Sequence, residues 1–213
     1  MTIERRNCAA AEVRIEGEGE GRKIVGYAAV YYRADDPGTE YTLWGDNVER
    51  IMPGAFDRAI GEDDTVGLFN HDSNLVLGRR TAGTMRLTVD DRGLRYEIDP
   101  PDTQVGRDVV ASLSRGDVNG SSFGFRIDHE EWISEGDGVS NVRLIRGVEL
   151  FDVGPVTFPA YTSTAAGMRA DADTLDEAKA SRLAWQGKML AAAADIQERR
   201  RRMRIIDSEA RVG

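Results

Sequence analysis

Cysteine occurs once, as Cys8, and histidine twice, as His71 and His129. A lone cysteine excludes a disulfide within the chain and any cysteine-rich zinc site, which fits a reducing compartment. A histidine-based metal site would need both histidines together with carboxylates, with Asp72 the nearest to hand. Positive charge is also short. The 28 basic side chains face 37 acidic ones, for a net charge of −9. A general nucleic-acid binder needs a basic surface to displace counterions from phosphate, so that class is disfavoured. No run approaches the ~18 apolar residues of a membrane span. Nor is Met1-Thr2-Ile3-Glu4-Arg5-Arg6 followed by the apolar stretch of a secretory signal. A Walker loop, a His-Glu-x-x-His pair and a Gly-x-Ser-x-Gly elbow are all missing. The start Asp171-x-Asp173 resembles a calcium loop but fails, because Leu175 and Asp176 sit where a ligand and a glycine are needed. Gly17-Glu18-Gly19-Glu20-Gly21 alternates glycine with acid, would repel phosphate, and reads as a turn.

What is present is ordinary for a globular protein. The chain has 213 residues, 40% hydrophobic and 31% charged, enough for one domain of about 150–170 residues plus extras. Charge is uneven along it. Residues 1–170 hold 29 acids and 19 bases, whereas residues 171–213 hold 8 acids and 9 bases. An acidic body therefore carries a near-neutral tail with a basic cluster, Arg199-Arg200-Arg201-Arg202 and Arg204. That cluster reads as a solvated helix face or as an arm for an acidic partner.

Strand-like runs are expected at Val13–Glu16, Lys23–Tyr32 and Val66–His71, the last a buried strand ending in polar residues. Pro53–Ile60 reads as a short helix entered through proline. Met85, Leu87 and Val89 alternate with polar neighbours, as do Leu94, Tyr96 and Ile98. With Asp90-Asp91-Arg92-Gly93 between them, they predict a hairpin with one buried face. The period then changes: Val105, Val109, Val110 and Leu113 share one helix face, Thr103 can cap its start, and Gly116 sits where a terminating glycine belongs. Strands resume at Asn119–Ile127, Val142–Ile145 and Val148–Phe158. Few helices intervene between strands, so the pattern predicts an α+β fold: a mainly antiparallel sheet, closed into a β-barrel, with helices outside. Residues 163–173 read as a linker between a body at 1–162 and an arm at 174–213. Thr174-Leu175-Asp176-Glu177 is a capping box opening a long amphipathic helix. Steps of three and four from Leu175 to Ile206 meet eight apolar residues in ten, a seam for packing on the body or for self-association through 174–206.

Three features could carry chemistry. His71 ends a strand in Phe69-Asn70-His71-Asp72, and histidine is the default general base near neutral pH. Ser121 and Ser122 sit in Gly120-Ser121-Ser122-Phe123-Gly124-Phe125, where glycine allows close backbone approach and aromatics can wall a pocket. Glu149 and Asp152 lie in an otherwise buried strand and need partners there; a histidine that becomes cationic would be one. Two other classes stay open: a non-catalytic assembly scaffold or chaperone, and a metal-dependent hydrolase built on His71, Asp72 and His129.

These features fall in order with further motifs: Pro53-Gly54-Ala55-Phe56, Asn70-His71-Asp72, Val76-Leu77-Gly78-Arg79, Gly83-Thr84-Met85, Ser122-Phe123-Gly124-Phe125, then Asp152-Val153 and Val156-Thr157-Phe158-Pro159-Ala160. In this the sequence resembles the prohead proteases of tailed bacteriophages, relatives of the herpesvirus capsid-maturation proteases. The resemblance spans about residues 22–162. It implies a β-barrel wrapped in helices and a serine endopeptidase without metal or cofactor. Such an enzyme digests the scaffold portion of capsid precursors, and often itself, inside the immature capsid in the bacterial cytoplasm, clearing room for DNA.

Carried over residue by residue, the resemblance puts the family's histidine on His71, its serine on Ser122 and its acid on Asp152. Two departures stand out. Ser121 replaces a usually apolar residue and gives the nucleophile a neighbour that could rival it. Gly154-Pro155 replaces a serine–apolar pair, so the last strand is expected to bend there. Glu149 is the alternative third member. His129 would copy the second histidine of the herpesvirus enzymes, but it follows Ser122 by seven residues, roughly 23 Å along an extended strand and on its opposite face. Backbone amides near Gly124, or in the Gly78-Arg79-Arg80 turn, are candidates for stabilising an oxyanion.

Overall fold

The structure is a computed structural model and describes residues 3–8, 13–135, 141–158 and 172–209. Most of the expected linker, residues 163–171, lies outside the described residues, as do Pro159-Ala160 and the side chains of Thr174, Arg199–Arg202 and Arg204. The chain divides into two units, Met1–Leu175 and Asp176–Gly213.

The first unit is mixed α+β. Its strands are β1 (Glu4–Cys8), β2 (Arg14–Glu16), β3 (Lys23–Val30), β4 (Glu40–Trp44), β5 (Asn47–Ile51), β6 (Val66–Leu68), β7 (Val76–Arg79), β8 (Met85–Val89), β9 (Gly93–Ile98), β10 (Gly120–Ile133) and β11 (Val142–Val156). Helices α1 (Ala59–Glu62) and α2 (Gln104–Arg115) join them. A seven-stranded sheet runs β1-β10-β11-β5-β4, with β6 on β11 and β7 on β6, and a four-stranded sheet runs β2-β3-β9-β8. Among the described residues neither sheet closes on itself, in contrast to the closed barrel expected. The reason lies in β11. It is long enough to take β5 at Val142–Ile145 and β6 at Asp152–Val153, both in parallel, so the ladder forks there. Every other ladder is antiparallel.

Local chemistry explains the elements. The hairpin forms with Met85 opposite Ile98 and Val89 opposite Leu94, while the Asp90 carboxylate accepts from the amides of Arg92 and Gly93 in the turn. The Thr103 hydroxyl accepts from the Gly106 amide at the start of α2, and Gly116 ends the helix in the left-handed conformation, φ 80°, as a glycine cap should. The segment after Pro53 is a turn before it becomes helix at Ala59, because Gly54 at φ 90° is not helical. Val142–Val156 is one strand and not two, since Gly147 stays in the ladder opposite His129. Between the sheets lies a core of Ile24, Tyr31, Phe56, Met85, Leu94, Tyr96, Ile98, Phe123, Phe125 and Val153. Phe123 stacks on Phe125 at 4.6 Å and meets Phe56 edge-on at 5.7 Å. This packing fixes β10, and with it the face that carries the serines.

The described part of the second unit is helix α3 (Ala172–Glu209), of which residues 172–175 belong to the first unit. Leu183, Met189 and Leu190 on it are exposed. Among the described residues no helix is long and apolar enough to cross a membrane.

Candidate active site

Strand alternation sends the two serines of β10 to opposite faces. Both are fully buried. Ser121 faces the second sheet and donates to the Tyr96 hydroxyl at 2.9 Å. Gly26 leaves room for that tyrosine, since a Cβ there would lie 2.7 Å from its oxygen. Ser122 faces the other way, toward His71.

The His71 position depends on backbone strain. β6 stops at Leu68 because Asn70 and His71 both adopt left-handed φ, 54° and 57°. Asparagine visits that region readily, but two such residues in succession are costly and persist only when the surroundings hold them. The holding contacts are visible. The Asn70 amide donates to the Pro155 carbonyl at 3.1 Å. The Asn70 side chain accepts from the Thr157 amide at 2.8 Å and donates to its hydroxyl at 3.1 Å. Asp72 caps the far side of the turn, accepting from the Asn74 amide. The turn is thus tied to the end of β11 and throws His71 over β10.

Two glycines let the acid join. Gly124 lies opposite Asp152, and a Cβ there would come within 2.3 Å of the carboxylate. Gly154 brings β6 so close that a Cβ would sit 1.9 Å from the Leu68 carbonyl. A register shift between Gly124 and Phe125 accompanies this approach; such bulges re-aim side chains next to sites. The result is a chain of contacts: His71 Nδ1 lies on Asp152 Oδ1, and His71 Nε2 lies 2.6 Å from Ser122 Oγ. An ionised carboxylate only accepts, so Nδ1 carries the hydrogen on that side, and Nε2 is the nitrogen that faces the serine. The His71 and Asp152 side chains are about nine-tenths buried, 12% and 11% exposed.

The other candidates hold other contacts or face solvent. Glu149 pairs with Arg126 across the ladder. His129 is exposed. The Arg79 amide donates to Thr84 Oγ1 at 2.9 Å, and its guanidinium pairs with Asp64 at 2.6 Å. The Arg80 amide donates to the Thr65 carbonyl at 3.0 Å. Gly124 sits in a strand paired on both edges, by β1 and by β11. Among the described residues no three histidine, cysteine or acidic side chains group as metal ligands.

One neighbour escaped sequence reasoning. β1 pairs with β10 with Asn7 opposite Ser122, and Ser122 Oγ lies 2.9 Å from the Arg6 carbonyl oxygen. Arg6 reaches over the Phe125 ring and donates to Glu49 at 2.7 and 2.9 Å and to Glu4 at 2.7 Å. Arg143 donates to Glu49 at 3.0 Å and to Glu130 at 2.6 Å. Burial works to raise the Glu49 carboxyl, but the two guanidiniums, Arg6 foremost, prevail and hold it below its ordinary range. At Glu4 burial outweighs the same cations, and its carboxyl is raised. The only sequence signal for this cluster was Glu4-Arg5-Arg6 itself, which reads as a polar terminus until β1 is seen in place.

A family model described as caudovirus prohead serine protease matches residues 9–180 of the chain. Neither a curated protein nor a solved structure matches it.

Proposed function

The chain belongs to the caudovirus prohead serine protease family, and from that premise we propose that it is a serine endopeptidase with Ser122 as nucleophile, His71 as base and Asp152 as the acid that orients it. The observation that carries this reading is the unbroken contact chain from Asp152 through both nitrogens of His71 to Ser122 Oγ. His71 Nε2 takes the hydroxyl proton as Oγ bonds to the scissile carbonyl carbon. The cation so formed is stabilised by Asp152 and passes its proton to the leaving amine, leaving an acyl-serine that water then hydrolyses by the same relay.

The substrate is the scaffold portion of the capsid precursor, and also the chain itself, cut inside the immature capsid in the host cytoplasm. The arm at 174–213 is separable through 163–173 and is available for self-association, its exposed Leu183, Met189 and Leu190 offering apolar surface. Co-expression with the capsid precursor tests the central claim. Processing is expected with the wild-type chain and none with Ser122→Ala. Normal capsid assembly with unprocessed precursor in both cases would favour the scaffold reading instead.

A further inference from the structure

Ser122 is fully buried. A nucleophile that attacks a polypeptide must bring Oγ to about 3–3.5 Å from a carbonyl carbon, so something over it has to move. β1 is that something. It occupies the outer edge of β10 from Ser121 to Phe125, the row of backbone groups that an extended peptide would use to add itself as a strand. Its Arg6 carbonyl oxygen lies 2.9 Å from Ser122 Oγ, while His71 Nε2 lies 2.6 Å away on the other side.

A hydroxyl has one hydrogen to give, and a carbonyl oxygen can only accept. When Ser122 donates to Arg6, the short contact to His71 needs the hydrogen to sit on Nε2, and the histidine is then no base. When Ser122 donates to His71, the Arg6 oxygen faces a lone pair. The docked strand therefore competes with the base for the one proton that catalysis uses.

We propose that β1 is a self-blocking strand: it holds the place beside Ser122 that the substrate takes, and turnover requires it to peel from β10. The proposal rests on the protease reading above. The Arg6 pair with Glu49 and the Glu4 pair with Arg143 hold the strand down, and Arg143 on Glu49 keeps that carboxylate partnered when Arg6 leaves.

A reversible lock tests this in the full chain. Cys8 lies opposite Ser121 in the ladder, and directly opposed antiparallel residues have Cα atoms about 4.5–5.5 Å apart, within disulfide range. Ser121→Cys, oxidised with glutathione disulfide and confirmed by mass, fixes β1 in place. The readout is the rate at which a fluorophosphonate labels Ser122. Labelling is expected to fall at least tenfold on oxidation and to recover on reduction, with the wild-type chain indifferent to both. Arg6→Gln, which loosens the strand without a lock, is expected to label several-fold faster than wild type. Equal labelling of the locked and reduced forms, or Arg6→Gln labelling no faster while its melting curve shows it folded, overturns the self-blocking strand. Absence of labelling in every form overturns the protease reading itself, and the self-blocking strand with it.

Discussion

Two buried clusters of ionisable groups meet on strands β10 and β11, each completed by residues from elsewhere in the chain, and they differ in how their charges are matched. In the cluster of Glu4, Arg6, Glu49, Glu130 and Arg143, guanidiniums and carboxylates alternate, and each carboxylate has a cation on it. Moving a proton there would strand a buried charge, so its pairs join strands without a proton to spare. In the other, the Asp152 carboxylate faces a histidine, and the histidine faces a hydroxyl. On the proposed mechanism His71 becomes the cation that balances the acid only as it takes the serine's proton, so proton transfer completes the set of charges. Buried charge alone marks neither function nor stability. The difference lies in whether the partner is charged already or becomes so during the reaction.

The largest expected effect breaks the second cluster: Ser122→Ala should lower turnover by about six orders of magnitude with the fold intact, measured as single-turnover cleavage of the capsid precursor. Next, Asp152→Asn keeps the shape but favours the wrong histidine tautomer and should cost roughly 10⁴-fold in rate. A near wild-type rate would remove Asp152 from its role. Attacking the first cluster should give a loss of another kind. Glu49→Ala leaves Arg6 and Arg143 short of a buried partner and should cost about 3–5 kcal/mol of stability, read from denaturant unfolding. Ser121→Ala removes the buried contacts of its hydroxyl with Tyr96 and with the Gly154 carbonyl and should cost about 1–2 kcal/mol while cleavage persists, in contrast to its neighbour. The smallest effect belongs to Glu149→Gln. Its pair with Arg126 is more than a third exposed and should contribute at most about 1 kcal/mol, with the cleavage rate near wild type. A crippled Glu149→Gln beside an active Asp152→Asn would reverse the assignment of the acid.

Much of this was legible before the fold was seen, wherever the deciding contact was local. The hairpin register followed from alternation at Met85–Val89 and Leu94–Ile98, and the ends of α2 from Thr103 and Gly116, because each depends on atoms a few residues apart. His71, Ser122 and Asp152 stood out through the ordered motifs around them. The strands β4 and β5 were missed, since Glu40, Glu49 and Arg50 interrupt their apolar pattern with charges that are matched only in the fold, Glu49 by Arg6 and Arg143 and Arg50 by Glu40 and Glu135. The helix expected from Pro53 begins only at Ala59, and the strand expected to reach His71 stops at Leu68, both displaced by left-handed residues.

By itself the sequence determined the alternation that turns Ser121 and Ser122 to opposite faces and the glycines at 124 and 154 that leave space for a carboxylate and a neighbouring strand. Only the tertiary structure decided that β11 forks the sheet, that the Asn70–His71 turn is pinned to Pro155 and Thr157, and that β1 lies on Ser122. Each of these joins residues 80 or more positions apart. Their energies come from contacts that exist only after the intervening chain has folded, so no local pattern can encode them.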